Sequence, residues 1–215
     1  MSNSRISALL SIGALVATVG TGGCSSAGDG TPGAPNPGDT SEALSNGCST
    51  AQCVSDVNTA RNATSKYKDV NKAIADGFVQ VSPCVTDLNG VTPGSVGNFG
   101  TLGVHFLNQA RITPFPSVGS PTVLVYIPND DGGLDLAAAE YVVPIIQNGA
   151  VYTDPTAAPT SPQPAPTLFD KKLIGPVAPH FPGGPWHYET HAWIWKDNPN
   201  GLTAPSNSGV SCTPE

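Results

Sequence analysis

Residues 122–143 read TVLVYIPNDDGGLDLAAAEYVV, and this run decides the fold class. Residues 122–127 are β-branched, aromatic or Leu, and residues 134–143 form a second apolar run. Between them stand Asp130, Asp131, Gly132 and Gly133. Gly accepts a positive φ, and Asp bonds the backbone beside it, so these four residues reverse the chain. The two runs are therefore expected to pair as an antiparallel hairpin.

Upstream, residues 48–76 hold neither Gly nor Pro. Within them Val57, Ala60, Ala63, Tyr67, Val70 and Ile74 recur at three- and four-residue steps, the period of one helix face. The spacing predicts a helix over 55–76 with Lys66, Lys68 and Lys72 in solvent, stopped by Gly77. Further strand-like runs are 78–81, 103–108 (GVHFLN) and 187–195 (HYETHAWIW). Together these elements predict an α+β class: one N-terminal amphipathic helix packed on an antiparallel sheet of four to five strands. Residues 150–185 hold nine of the 22 prolines and are expected to form an extended covering loop without secondary structure of its own.

The chain has 215 residues, of which 24 are Gly and 22 Pro, and only 12% are charged. That composition excludes a coiled coil and a charge-driven disordered chain. Nine Lys and Arg against 16 acids give a net charge of -7, no footprint for nucleic acid.

At the N-terminus Arg5 precedes an apolar run over 6–19, which is too short to span a bilayer and has the length of a signal-peptide core. It ends in Gly20, Thr21, Gly22, Gly23 and Cys24, small residues leading to a Cys that resemble the bacterial lipoprotein signal. The resemblance implies a signal peptide over 1–23, lipidation at Cys24, and a membrane partner through that anchor. Ser25 after the Cys fits outer-membrane delivery in that class. Residues 24–47 lack aromatic side chains and read as a flexible tether, leaving 48–215 as a single domain in the periplasm or at the cell surface. Setting Cys24 aside leaves Cys48, Cys53, Cys84 and Cys212, an even number suited to an oxidising compartment. Of the three pairings, Cys48 with Cys53 and Cys84 with Cys212 are expected, and the unpaired spacings argue against a cysteine metal site.

Chemistry falls to four histidines and two acids. His180 sits in a Pro- and Gly-rich loop, where an exposed His needs no explanation. On a strand, His187 and His191 share a face but stand about 13 Å apart, so Glu189 pairs with one or the other and no single ion takes both histidines. Glu140 shares its strand face with Leu134, Leu136, Ala138 and Val142, a carboxylate on an apolar face that is costly to bury unpaired. If their strands are adjacent, His105, Glu140 and His191, with Glu189 as a further ligand, make a two-histidine, one-carboxylate group suited to Zn, Fe or Cu. The competing reading is a set of structural polar pairs. Trp186, Tyr188, Trp193 and Trp195 either line a ligand cleft or fill the core. Asp130, Asp131 and Asp135 are weaker candidates for Ca²⁺.

From Tyr67 to Cys212 the chain resembles an uncharacterised group of bacterial secreted proteins. The shared motifs are Ala75-Asp-Gly-Phe78, Gly103-Val-His105-Phe, Val123-Leu-Val-Tyr126, Glu140-Tyr141 and His191-Ala-Trp193-Ile-Trp195-Lys-Asp-Asn198-Pro199-Asn-Gly201. The resemblance supplies no activity; it implies that His105, Glu140 and His191 are the positions to test and that the Asn-Pro-Asn-Gly turn belongs to the domain. The leading expectation is an exported cell-envelope lipoprotein that binds a metal ion or small ligand. The alternatives are a metal-dependent hydrolase or oxidase and a structural or interaction module of the envelope; the sequence leaves the oligomeric state open.

Overall fold

A computed structural model describes residues 47–87, 100–180 and 183–213. The expected signal peptide, Cys24 and the tether up to residue 46 lie outside them. Among the described residues no helix is long and apolar enough to cross a membrane.

The predicted single helix is divided in three. Helix α1 (Ala51–Thr64) begins where the Thr50 hydroxyl accepts from the Cys53 N–H, a cap worth about 1 kcal/mol. A 3-10 turn (Ser65–Lys68) follows, and α2 (Val70–Ala75) restarts on a second cap in which the Asp69 carboxylate accepts from the Asn71 N–H. Asp69 thus resets the helical phase. Val57, Ala60 and Tyr67 are buried as expected, but after the break Ala73 turns inward and Ile74 is exposed. Gly77 ends α2 at φ +89°, its N–H donating to the Ile74 carbonyl while Phe78 N–H donates to that of Ala73.

The sheet has seven strands rather than four or five. They are β1 (Val79–Gln80), β2 (Val85–Asp87), β3 (Gly100–Leu107), β4 (Val123–Pro128), β5 (Leu134–Pro144), β10 (Ile174–Val177) and β11 (His187–Ala192). The order is β1-β3-β4-β5-β11-β10, with β2 also paired to β3, and every pairing is antiparallel. The hairpin read from 122–143 is the β4–β5 pair, closed by the Gly132 N–H on the Asn129 carbonyl. The Pro-rich region differs from a plain cover. It contains β7 (Ala150–Val151), which pairs with β6 (Ile146–Gln147), then the small β8 (Thr167–Leu168) and β9 (Lys171–Lys172) pair, and then edge strand β10. Edge strands tolerate a proline such as Pro176, because one side of the strand makes no ladder bonds.

The helical side of the sheet is apolar. Val54, Val57 and Ala60 cluster with Ala139, Tyr141, Val143 and Ile194, and Tyr67, Ala73 and Phe78 cluster with Val104, Phe106, Leu124, Tyr126 and Leu136. Strand β5 changes sides partway. Its register with β4 shifts between Val125↔Ala138 and Tyr126↔Leu136, leaving Ala137 as an extra residue. One extra residue reverses the period-two alternation, so Leu134 and Leu136 join the helical side while Ala138, Glu140 and Val142 face the other way. This corrects the expectation that all five share a face.

Both expected disulfides form, Cys48–Cys53 and Cys84–Cys212. The second spans 128 residues of sequence and ties the C-terminal segment to the start of the sheet. The Asn198–Gly201 turn is part of the fold: Gly201 N–H donates to the Asn198 carbonyl, and the Asn198 and Asn200 amides both donate to the Ser206 carbonyl.

Candidate metal centre

The sheet face away from the helices carries Val123, Val125, Ala138 and Trp193 in one apolar cluster, with His105, Glu140, His187, Glu189 and His191 on the same side. Strand pairing sets their positions. His191 lies directly opposite Glu140 on the β11–β5 ladder. The condition of adjacent strands holds for Glu140 and His191 but not for His105, because β4 lies between β3 and β5. It opposes Val125, while Glu140 opposes Val123, so imidazole and carboxylate reach toward each other over two valines. Two strand spacings are about 9–10 Å, a gap that only long side chains close.

They do close it. His105 Nε2 is 3.4 Å from His191 Nε2 and 3.6 Å from Glu140 Oε2, and His191 Nε2 is 3.9 Å from the same oxygen. One face of a tetrahedron around an ion with bonds of ~2.0–2.1 Å has edges of about 3.3–3.4 Å, so a small contraction would seat three ligands. Glu140 Oε2 is buried without a hydrogen-bond partner. Neither imidazole is near enough to donate to it, which counts against a plain core polar pair.

Each histidine is held from behind. The break between β1 and β2 leaves Ser82 beside His105, and the Ser82 hydroxyl accepts the His105 backbone N–H while lying 3.1 Å from its Nδ1. With Nδ1–H on Ser82, Nε2 is the free ligand atom. Gly103 lets β3 come close here. It has φ +91°, and a Cβ would fall 2.6 Å from Val125 Cγ1. The His191 ring stacks on Trp193 at an interplanar angle of 13°.

Electrostatics keep both imidazoles neutral. Burial, aided by His191, pushes His105 down to about 3, and burial pushes His191 down to about 4. Burial, with Glu189 nearby, raises the Glu140 carboxyl well above its usual range. Neutral imidazole is the form that binds a metal.

Glu189 does not join this group. Its Oε2 lies 3.0 Å from His187 Nε2 and 4.0 Å from His180 Nε2, so the structure shows a second cluster of two histidines and a carboxylate. Burial alone would raise Glu189, but the His187 contact and the other imidazoles outweigh it and hold the carboxyl low. His187 and His191 serve different clusters, as their separation along the strand requires. His180 was expected to be an ordinary exposed loop histidine. Its signal was the Pro182-Gly-Gly-Pro185 run, turn-forming sequence that permits residue 180 to double back toward 187.

The other candidates are engaged elsewhere. Trp186, Trp193 and Trp195 donate their indole N–H groups to Asp154 O, Ala204 O and Thr64 Oγ1, so they hold the fold together. Asp135 binds Lys196 and Asn129, and among the described residues it belongs to no cluster of three metal-type ligands.

No family model matches the chain, and no curated protein and no solved structure matches it.

Proposed function

We propose that the chain is an exported cell-envelope protein, anchored through Cys24, whose domain binds one divalent transition-metal ion through His105, Glu140 and His191. The observation that carries the reading is the unpartnered, buried Glu140 Oε2 between two neutral imidazole nitrogens. Leaving a buried acceptor unsatisfied costs about 1–3 kcal/mol, and ligation removes that cost. Two imidazoles and a carboxylate suit zinc, copper or iron. The disulfides support an oxidising, exported environment. The signal-like N-terminus supports the anchor, and the Pro-rich 150–185 segment acts as the cover that carries His180.

The test is elemental analysis of the purified full chain and of its His105→Ala, His191→Ala and Glu140→Gln variants after metal loading and dialysis. The reading expects an ion in the wild type that each variant loses. An ion content untouched by all three substitutions overturns it. Labelled fatty acid should enter the wild type and not Cys24→Ser.

A metal-dependent hydrolase or oxidase is the second reading. It draws on the ligand count, since three protein ligands leave a tetrahedral ion one open position. In the Co²⁺-loaded protein, added azide should then shift the visible spectrum; an unchanged spectrum counts against an open position.

A further inference from the structure

The second cluster stands on its own residues, independently of the first. The His187 Nδ1 atom is 3.1 Å from the Pro185 carbonyl oxygen. A carbonyl only accepts, so Nδ1 carries the proton, and Nε2 faces Glu189 Oε2 at 3.0 Å. A backbone carbonyl behind a histidine is the outer support that metal-ligating imidazoles commonly have. His187 and Glu189 are both buried, whereas the His180 side chain is 61% exposed. The His180 ring stands edge-on to that of His187, with centroids 4.8 Å apart, and its Nε2 is directed at the same carboxylate. One buried histidine, one buried carboxylate and one solvent-facing histidine therefore converge, with all three ligand atoms within 4.8 Å of one another.

We propose that His180, His187 and Glu189 bind a second divalent transition-metal ion, set on the same sheet face beside the first and open to solvent on the His180 side. Strand geometry fixes the arrangement. Glu189 and His191 are two residues apart on β11, about 7 Å along the strand, and point to the same side. The two ions are neighbours held by alternate residues of one strand. The inner ion takes ligands from three strands and is enclosed; the outer one takes a loop histidine and exchanges more readily. Donor chemistry is the same at both, two imidazoles and a carboxylate, so zinc, copper and cobalt fit each.

The experiment titrates Co²⁺ into the metal-free full chain, following bound metal after dialysis and the visible absorption of the ion. The wild type should take two ions per chain. His180→Ala, at an exposed loop position that the fold does not need, should weaken one of the two at least about tenfold and leave the other unchanged. His187→Ala should do the same, and circular dichroism of that variant confirms folding. His191→Ala should remove the other ion only. A wild type that binds one ion, lost in His191→Ala and unaffected by His180→Ala, overturns the second site and leaves the first intact; His187 and Glu189 are then an ion pair. Two ions that both survive His180→Ala also overturn it. Loss of a single ion in His180→Ala and His187→Ala, with no effect of His191→Ala, supports the second site and overturns the first. A wild type that binds no Co²⁺ overturns both.

Discussion

The two faces of this sheet are buried by different means. On the helical side, Val57, Ala60, Tyr67, Ala73 and Phe78 close over Leu124, Tyr126, Leu136 and Tyr141. Among the described residues no buried side-chain polar atom on that side lacks a partner; the Tyr126 hydroxyl, for one, donates to the Tyr67 carbonyl. On the opposite side four imidazoles and two carboxylates crowd over a floor of valine and alanine, and one oxygen has no partner. The helical face is built for stability. The other face leaves a buried carboxyl oxygen without a partner, which costs stability.

Substitutions should therefore have opposite signs on the two faces. The largest effect is expected from Leu124→Ala, which opens a cavity under α2 and should cost about 2–5 kcal/mol in urea unfolding, while the folded fraction keeps its metal content. If metal is lost as steeply as stability, the faces are not separate. Next comes Glu140→Met, which replaces an unsatisfied carboxyl by an apolar group of similar size. It should raise the stability of the metal-free protein by about 1–3 kcal/mol while abolishing binding at that site. A destabilised Glu140→Met would show that the carboxyl is satisfied after all.

Acidity distinguishes the faces more gently. Burial pushes His105 down to about 3 and His191 to about 4 in the fold, against an ordinary 6.5, so the unfolded chain takes up their protons first. Their contribution is complete above pH 6.5 and is lost progressively as pH falls through about 4 and 3. Glu140 has the opposite sign. Its raised carboxyl contributes fully below the ordinary 4.5, and that contribution is lost as pH rises through its folded value. The melting temperature of the chelator-treated protein should thus fall as pH drops below 6.5, and Glu140→Met should steepen that fall by removing a contribution of opposite sign. A melting temperature that stays level from pH 6.5 down to 4 would contradict this. The smallest effect is expected from Asp135→Asn, which weakens a half-buried pair with Lys196 at 2.8 Å. It should shift stability by under about 0.5 kcal/mol and leave metal content alone.

What the sequence made legible follows from the range of its signals. The hairpin, both disulfides and the α+β class rest on local pattern or simple parity, and each emerges in the structure. His105, Glu140 and His191 do come together, but across an intervening strand and without Glu189, so not by the adjacency on which their grouping depended. The failures are tertiary. Asp69 looked like one more solvated helix residue until it capped a new helix and turned Ile74 outward. Nothing in the run Ala137-Ala138-Ala139 says which alanine is the extra one, because that depends on what Val125 and Tyr126 pair with across the hairpin. Strand β10 was hidden by its proline and by composition that reads as a loop. His180 is brought to Glu189 only by that strand's return into β11, a long-range outcome no short window contains.

The Cys48–Cys53 bridge has a mechanical consequence. It encloses the first turn of α1 together with its Thr50 cap. Any tension on the chain ahead of Gly47 enters the domain at Cys48 and passes through sulfur to Cys53, so the Thr50 hydroxyl bond sits in a slack loop and bears no load. The bridge therefore guards only the cap and the first turn of α1 against fraying; a pull reaches the helix at Cys53, one residue ahead of Val54, where the apolar contacts with the sheet begin.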